Sequence, residues 1–412
     1  MNMIFVLTRY FLRLINLIWY LLLSPLFIVY LLVHASGLKQ YILAGYQSIP
    51  DLVDMLLGKG THLTSTNSIA TNKQGLDRAA GSGIFPLTVC LGLFYNPFYI
   101  YTMIYWNVND FLCWNIPLMF VFGLICSEDT HYDSHNWLTR RYQSVWYKRL
   151  ISLRFKQYTQ MIWYPLTQHM PHLYIHHKFN MKNEQDIDYV GSYQRDGLGG
   201  FLAFLSIYDW NYNCSSLRYF YKLPSKTLLR LYVKDMLLNY GLLLFAMLCA
   251  WQKFLFQYAC HSLCYTFIAW TTFYIEHPFH HPIKDSYEHY WNVLTLVDST
   301  TGLCTESHTS HHIWPARSME ENASWANNAI EFSKSQLENR HLAIHCTGAF
   351  QELLYLPYLI ITKQYSKLAN MLHFKSVQQL EKDHMQSDLI QAYQHFQAEC
   401  DANEIKRRLQ SR

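Results

Sequence analysis

The sequence predicts an all-α chain: a polytopic integral membrane helical bundle, capped on its cytoplasmic side by a His-rich helical layer. Three observations predict it. Of 412 residues, 51% are apolar and 17% aromatic, while only 15% are charged, well under the roughly 25% of a soluble domain. Residues 14–33 run twenty positions without a charge, enough to cross a hydrocarbon core of about 30 Å. Fourteen of the 21 His fall between His131 and His312, and all of these but His261 lie beside the apolar segments rather than inside them. The same composition excludes a disordered, collagen-like or coiled-coil chain. A net charge of +4 is too small to argue for nucleic acid. The mean hydropathy of −0.05 is low for a membrane protein, but 32 Tyr and 21 His pull that average down.

The elements follow in order. Residues 14–33 read as a retained anchor helix, because a signal-peptide core is only about 7–15 residues long and is followed by a small-residue cleavage site. Residues 34–82 are polar and read as a surface connection. Residues 84–106 and 111–126 are apolar and aromatic, separated by the turn signal at 107–110, and make a helical hairpin. Residues 236–251 and 254–275 make a second one around Gln252 and Lys253. Polar, His-bearing stretches follow each hairpin, at 127–234 and 276–342. Residues 349–361 are apolar but short, so an interfacial or buried helix fits them, and 376–412 read as a solvated helical tail. Three units result: an anchor and connection (1–83), a membrane domain (84–345) and a C-terminal helix and tail (346–412). The ten Cys contain no CxxC pair, which argues against zinc knuckles and thioredoxin-type sites.

Both His-rich stretches adjoin hairpins, so they share one membrane face. That face carries Arg140, Arg141, Lys148, Arg149, Arg154 and Lys156, which makes it cytoplasmic by charge bias. One anchor plus one hairpin would put the N-terminus outside, against Arg9 and Arg13. A re-entrant segment within 41–57 would reverse that.

The histidines are spaced, not scattered. His131 and His135 are four apart; His172, His176 and His177 form HxxxHH; His308, His311 and His312 form HxxHH. Positions three and four apart share a helix face, so each cluster aims imidazoles one way, and neutral imidazole binds iron, copper, zinc and nickel. A lone HxxxH arises easily by chance; three such clusters on one side of the spans point to a polynuclear metal site. Zinc is satisfied by four ligands, whereas eight or nine imidazoles suit two ions.

These boxes, placed after hydrophobic hairpins, resemble the membrane-bound di-iron oxygenases: fatty acid desaturases, fatty acid hydroxylases and alkane monooxygenases. The chain is most similar to the alkane and xylene monooxygenase branch. The run His172-Leu-Tyr-Ile-His176-His177 has that branch's gap, and Asp186 and Asp188 follow it. Tyr274-Ile275-Glu276-His277 is similar to its Y-x-E-H box, and His308 to His312, followed by Pro315 and Arg317, to its last box. Five positions differ from the branch pattern: Tyr132 follows the first His, Pro171 and Ile175 replace a Glu and a Gly, and Pro278-Phe279 follow His277.

The resemblance, covering about residues 84–320, implies two iron ions held by His131, His135, His172, His176, His177, His277, His308, His311 and His312. Asp186, Asp188, Glu276, Glu306, His280, His281 and His289 are candidates to orient those ligands. It implies an O2-dependent oxidoreductase of lipid metabolism, a monooxygenase acting on an alkane or fatty acyl chain. Catalytic groups beyond the metal site are not expected. No HPGG, ferredoxin-like or GxGxxG segment is present, so a separate electron donor is expected, ferredoxin- or rubredoxin-like with a reductase, or cytochrome b5-like. The membrane would be a bacterial inner membrane or the endoplasmic reticulum. The alternatives are a desaturase or ketolase on the same scaffold, and a His-rich metal transporter or sensor. Transport would need ligands at mid-membrane depth, where these spans carry almost none.

Overall fold

In the computed structural model the chain is described over residues 2–36, 38, 84–133, 161–179, 186–190, 192–277, 292–298, 303–307, 343–346, 348–364, 367–368 and 371. For 2–6, 9, 84–91, 123–133, 292–298, 303–307 and 343–345 the backbone alone is described. His135, His280, His281, His289, His308, His311, His312, the re-entrant candidate at 41–57, the cationic run at 140–156 and the C-terminal tail lie outside the described residues.

The described chain is predominantly helical, as expected. The anchor is α1 (Asn2–Ala35), which begins twelve residues before the uncharged run. The first hairpin is α2 (Ile84–Tyr105) and α3 (Val108–Asp133). Asn107 makes its turn: its side-chain oxygen accepts the Asp110 backbone N–H at 2.9 Å, an N-cap for α3. The second hairpin is α6 (Thr227–Cys249) and α7 (Trp251–Thr271). Its break falls at Ala250, in extended backbone, two residues before the Gln252–Lys253 break expected. The 127–234 stretch was expected to be polar, yet it contains two packed helices, α4 (Leu198–Trp210) and α5 (Ser216–Lys222). α8 (Leu356–Ile361) buries Leu356, Leu359 and Ile360 completely.

One departure from an all-α chain is a three-stranded sheet ordered β2-β1-β3. It comprises β1 (Asn292–Asp298), β2 (Leu303–Ser307) and β3 (Ala343–Cys346). β1 pairs antiparallel with β2, Leu294 opposite Ser307, and parallel with β3, Asn292 opposite Ala343. Read along 292–298, NVLTLVD is a short, mostly apolar run with β-branched Val293, Thr295 and Val297 at every second position, a strand pattern that the His-rich surroundings mask.

α7 is the centre of the bundle: α1, α3, α4 and α6 all pack on it. Much of the exterior is apolar, around a core that is itself mostly apolar and aromatic. Leu14, Leu21 and Leu22 on α1, Trp114 on α3 and Leu244 and Leu248 on α6 face outward, and contiguous exposed apolar surface of this kind marks a contact with lipid or partner. The interior of α7 is polar at four-residue spacing, with Lys253, Gln257, His261 and Tyr265 all buried. Lys253 donates its Nζ to the carbonyls of Met103 (2.6 Å) and Trp106 (2.7 Å), closing the C-terminus of α2, where a cation also meets the negative end of the helix dipole. Gln257 donates to the Ile162 carbonyl at 2.7 Å and accepts from the Tyr99 hydroxyl at 2.6 Å. His261 Nε2 donates to the Met161 carbonyl at 3.1 Å. Tyr265 bonds Thr167 at 2.6 Å. This ladder fastens residues 161–167, the approach to the second histidine box, onto α7.

By length and composition two helical segments, Tyr10–Ala35 and Thr227–Cys249, are long and apolar enough to cross a membrane, and Val108–Phe122 is a shorter apolar stretch. The polar ladder explains why α7 is not among them: its polar side chains turn inward and lower its composition average without touching the exterior.

Candidate metal centre

The second histidine box does not form a regular α-helix. Leu166–Gln168 is a 3-10 turn, His169–Pro171 one α turn, and His172–His176 a π turn closed by the His177 N–H on the His172 carbonyl. On an α-helix, positions five apart lie about 140° around the axis, so His177 would leave the face of His172. A π turn closes at the fifth residue and returns His177 to that face. His172 Nε2 and His177 Nε2 stand 3.1 Å apart, and the three rings of the box have centroids 4.8 to 5.4 Å apart. Two ring nitrogens this close either share a proton or aim their lone pairs at one ion.

The acidic loop after the box folds over it. His176 Nδ1 donates to both oxygens of Asp186, at 3.0 and 3.1 Å, which leaves Nε2 to carry the lone pair. A carboxylate behind a ligand histidine sets its tautomer and raises its basicity, the role expected for Asp186. Asp188 Oδ2 is 3.5 Å from the same ring nitrogen. Asp188 is also held by two tyrosines of α4 and the π turn Asn211–Ser215: Tyr208 donates at 2.8 Å and Tyr212 at 2.8 and 3.0 Å. Its backbone N–H caps Asp186 Oδ1 at 2.9 Å. Tyr232 of α6 donates to the Tyr212 carbonyl and, at 3.2 Å, to that of Asn213, satisfying the groups the π turn frees.

A third segment completes the group. α7 ends in the π turn Thr272–Glu276, and His277 N–H bonds the Thr272 carbonyl at 3.1 Å. His277 is buried, its ring 5.1 Å from that of His176, and Glu276 accepts from Thr272 Oγ1 at 3.1 Å.

Burial and charge work against each other here. Burial pushes the His176 imidazolium down, but Asp186 and Asp188 outweigh it and hold its pKa at about 9. Burial raises Asp188 to about 6 despite the His176 charge and the two tyrosine hydroxyls. Burial, helped by Asp188, raises Glu276 to about 7. Packing His172, His176 and His277 with Asp186 and Asp188 into one interior, with His177 and Glu276 half-buried at its edge, is costly unless each is hydrogen-bonded or metal-bound. His172, His176 and Asp188 are all buried, each offers a ligand atom within 4.8 Å of the others, and together they can hold a metal ion. Imidazole nitrogen with carboxylate oxygen is a donor set that first-row transition metals accept, so the residues fit such an ion.

Of the expected site residues, His172, His176, His177, His277, Asp186, Asp188 and Glu276 are brought together. His131 lies on the last turn of α3, where the backbone alone is described. Glu306 sits on β2 opposite Thr295, in a sheet whose β1 packs on the π turn Thr272–Glu276; its side chain is outside the described set. Sequence reasoning missed Tyr208 and Tyr212. Their four-residue spacing twenty positions after the acidic loop was the available signal, hidden among 32 tyrosines.

No protein-family model, curated protein or solved structure matches the chain.

Proposed function

We propose that this chain is a membrane-bound non-haem di-iron oxygenase that inserts oxygen from O2 into an unactivated C–H bond of a long-chain apolar substrate, an alkane or a fatty acyl chain. The observation that carries the reading is the meeting of buried His172, His176 and His277 and half-buried His177 with two buried carboxylates, from three separate segments. His131, His135, His308, His311 and His312 complete the proposed ligand set. Bound irons would supply the redox chemistry that acid–base side chains lack.

The protein's own part is positioning. Asp186 holds the Nδ1 proton of His176 so that Nε2 faces the centre. Tyr208 and Tyr212 fix the Asp188 carboxylate. The ladder on α7 sets where the box begins. The outward apolar faces of α1, α3 and α6 support a polytopic bundle whose His-bearing face looks into the cytoplasm. Electrons would come from a separate ferredoxin- or rubredoxin-like or cytochrome b5-like donor, docking on the cationic run at 140–156.

Metal analysis of the purified full chain, joined to lipid and hydrocarbon profiling of an expressing host, tests this. Two irons per chain and an O2-dependent hydroxylated product are expected, and His176→Ala and His312→Ala should each abolish both. Zinc in place of iron, or a His176→Ala protein that still forms product, would overturn it. An alkene product would move the reading to a desaturase.

A further inference from the structure

α6 shows one face to the exterior along its whole length, and that face changes chemistry part-way. Lys226, Arg230 and Lys234, just before and within its first turns, are exposed at four-residue spacing. Further along the exposed face come Leu237, Leu238, Leu244, Met247 and Leu248, then Trp251; Leu237 is 69% and Leu248 78% exposed. α5 adds exposed Arg218 and Lys222. Lys178, directly after the histidine pair, joins this group by donating to the Tyr219 hydroxyl at 2.8 Å. No Asp or Glu occurs between Asp209 and Asp235, and Asp235 is buried. Arg218, Lys222 and Arg230 have no anionic partner among the described residues. Lys226 is engaged otherwise, donating to the carbonyls of Tyr221 and Leu223 and closing the end of α5.

We infer that this cationic band binds the phosphates of anionic phospholipid headgroups and fixes the depth of α6 in the bilayer. An acidic soluble partner would account for the cations but not for their continuation, on the same helix face, into an apolar stripe. A headgroup layer lying on hydrocarbon accounts for both. The band also sets the level of the metal centre. Tyr232, between Arg230 and Lys234 but on the buried face, donates to the Tyr212 and Asn213 carbonyls, and the Tyr212 hydroxyl holds Asp188. The centre therefore lies level with the phosphates. This inference rests on the membrane part of the proposed function and not on the oxygenation chemistry.

The test titrates the detergent-solubilised full chain with dioctanoyl phosphatidylglycerol and with dioctanoyl phosphatidylcholine, reading bound lipid by native mass spectrometry. The glycerol lipid should bind more tightly, with a preference that weakens as salt is raised. Arg218→Gln, Lys222→Gln and Arg230→Gln should each reduce it about fivefold, whereas Arg230→Lys should retain it. Equal binding of the two lipids, or an undiminished preference in the triple Gln variant, would overturn the inference. So would a triple variant that keeps its lipid preference and loses binding to an acidic ferredoxin. Metal content and resistance to alkaline carbonate extraction are measured on the same proteins: loss of iron in the parent chain counts against the oxygenase, and extraction counts against the membrane reading.

Discussion

At the residue scale the centre turns on His176, which touches both acidic partners at once. Asp186 is the more specific of the two, since it accepts from Nδ1 with both oxygens. Replacing it by Asn keeps the shape and removes the charge. Asp186→Asn should weaken metal retention about 10–100-fold, measured by competition with a chelator, while the far-UV spectrum stays unchanged. The pH dependence has a defined sign. In the metal-free chain His176 (about 9), Asp188 (about 6) and Glu276 (about 7) all keep protons to higher pH than their ordinary values of 6.5, 3.8 and 4.5. The folded state thus binds more protons than the unfolded one, and stability falls as pH rises. The contributions of the two carboxyls fade between about pH 4 and 7, and that of His176 between 6.5 and about 9. The metal-free protein should melt at a higher temperature at pH 6 than at pH 9, and a rise over that interval would refute the assignment. Metal loading should show the opposite slope, because a ligating imidazole must give up its proton. His172, His176 and His177 were legible from spacing, and His277 only from the resemblance of residues 274–277 to a Y-x-E-H box; what holds them was not legible, because Tyr208 and Tyr212 reach Asp188 across the fold and leave no local pattern.

Elements carry the positioning. Gly200, in the first turn of α4, has room for no side chain: a Cβ there would stand 1.7 Å from the Gln194 carbonyl oxygen. That contact locks α4 against the loop that follows Asp186 and Asp188. Gly200→Ala should cost about 1–3 kcal/mol or more and loosen metal binding, whereas Gly199→Ala, with nothing within 4 Å, should be neutral or gain up to about 1 kcal/mol from helix propensity. Chemical denaturation of the two variants separates them. Lys253→Met leaves the final carbonyls of α2 without their donor and should cost about 1–3 kcal/mol, read by the same assay. Both hairpins could be read from hydropathy because helices with apolar outer faces as well as apolar inner ones show as long apolar runs. α4 could not, since the polar residues around it dominate any window drawn on 127–234, and the strands were hidden the same way.

For the molecule as a whole, large apolar side chains cover much of the outside as well as filling the core, and a polar ladder is enclosed within. The chain should remain in the pellet after alkaline carbonate extraction of membranes, and release into the supernatant would count against a bundle that spans them. Three of the described π turns, His172–His176, Asn211–Ser215 and Thr272–Glu276, border the same buried group, and each is wound around one residue more than an α turn would use. A register of that kind is sensitive to length more than to composition. Removing one residue from 173–175 would let the box relax to ordinary winding and swing one of its imidazoles away from the others, whereas exchanging the exposed Tyr174 for another residue would leave all three together. Over geological time such stretches should accept new letters readily and refuse to gain or lose any.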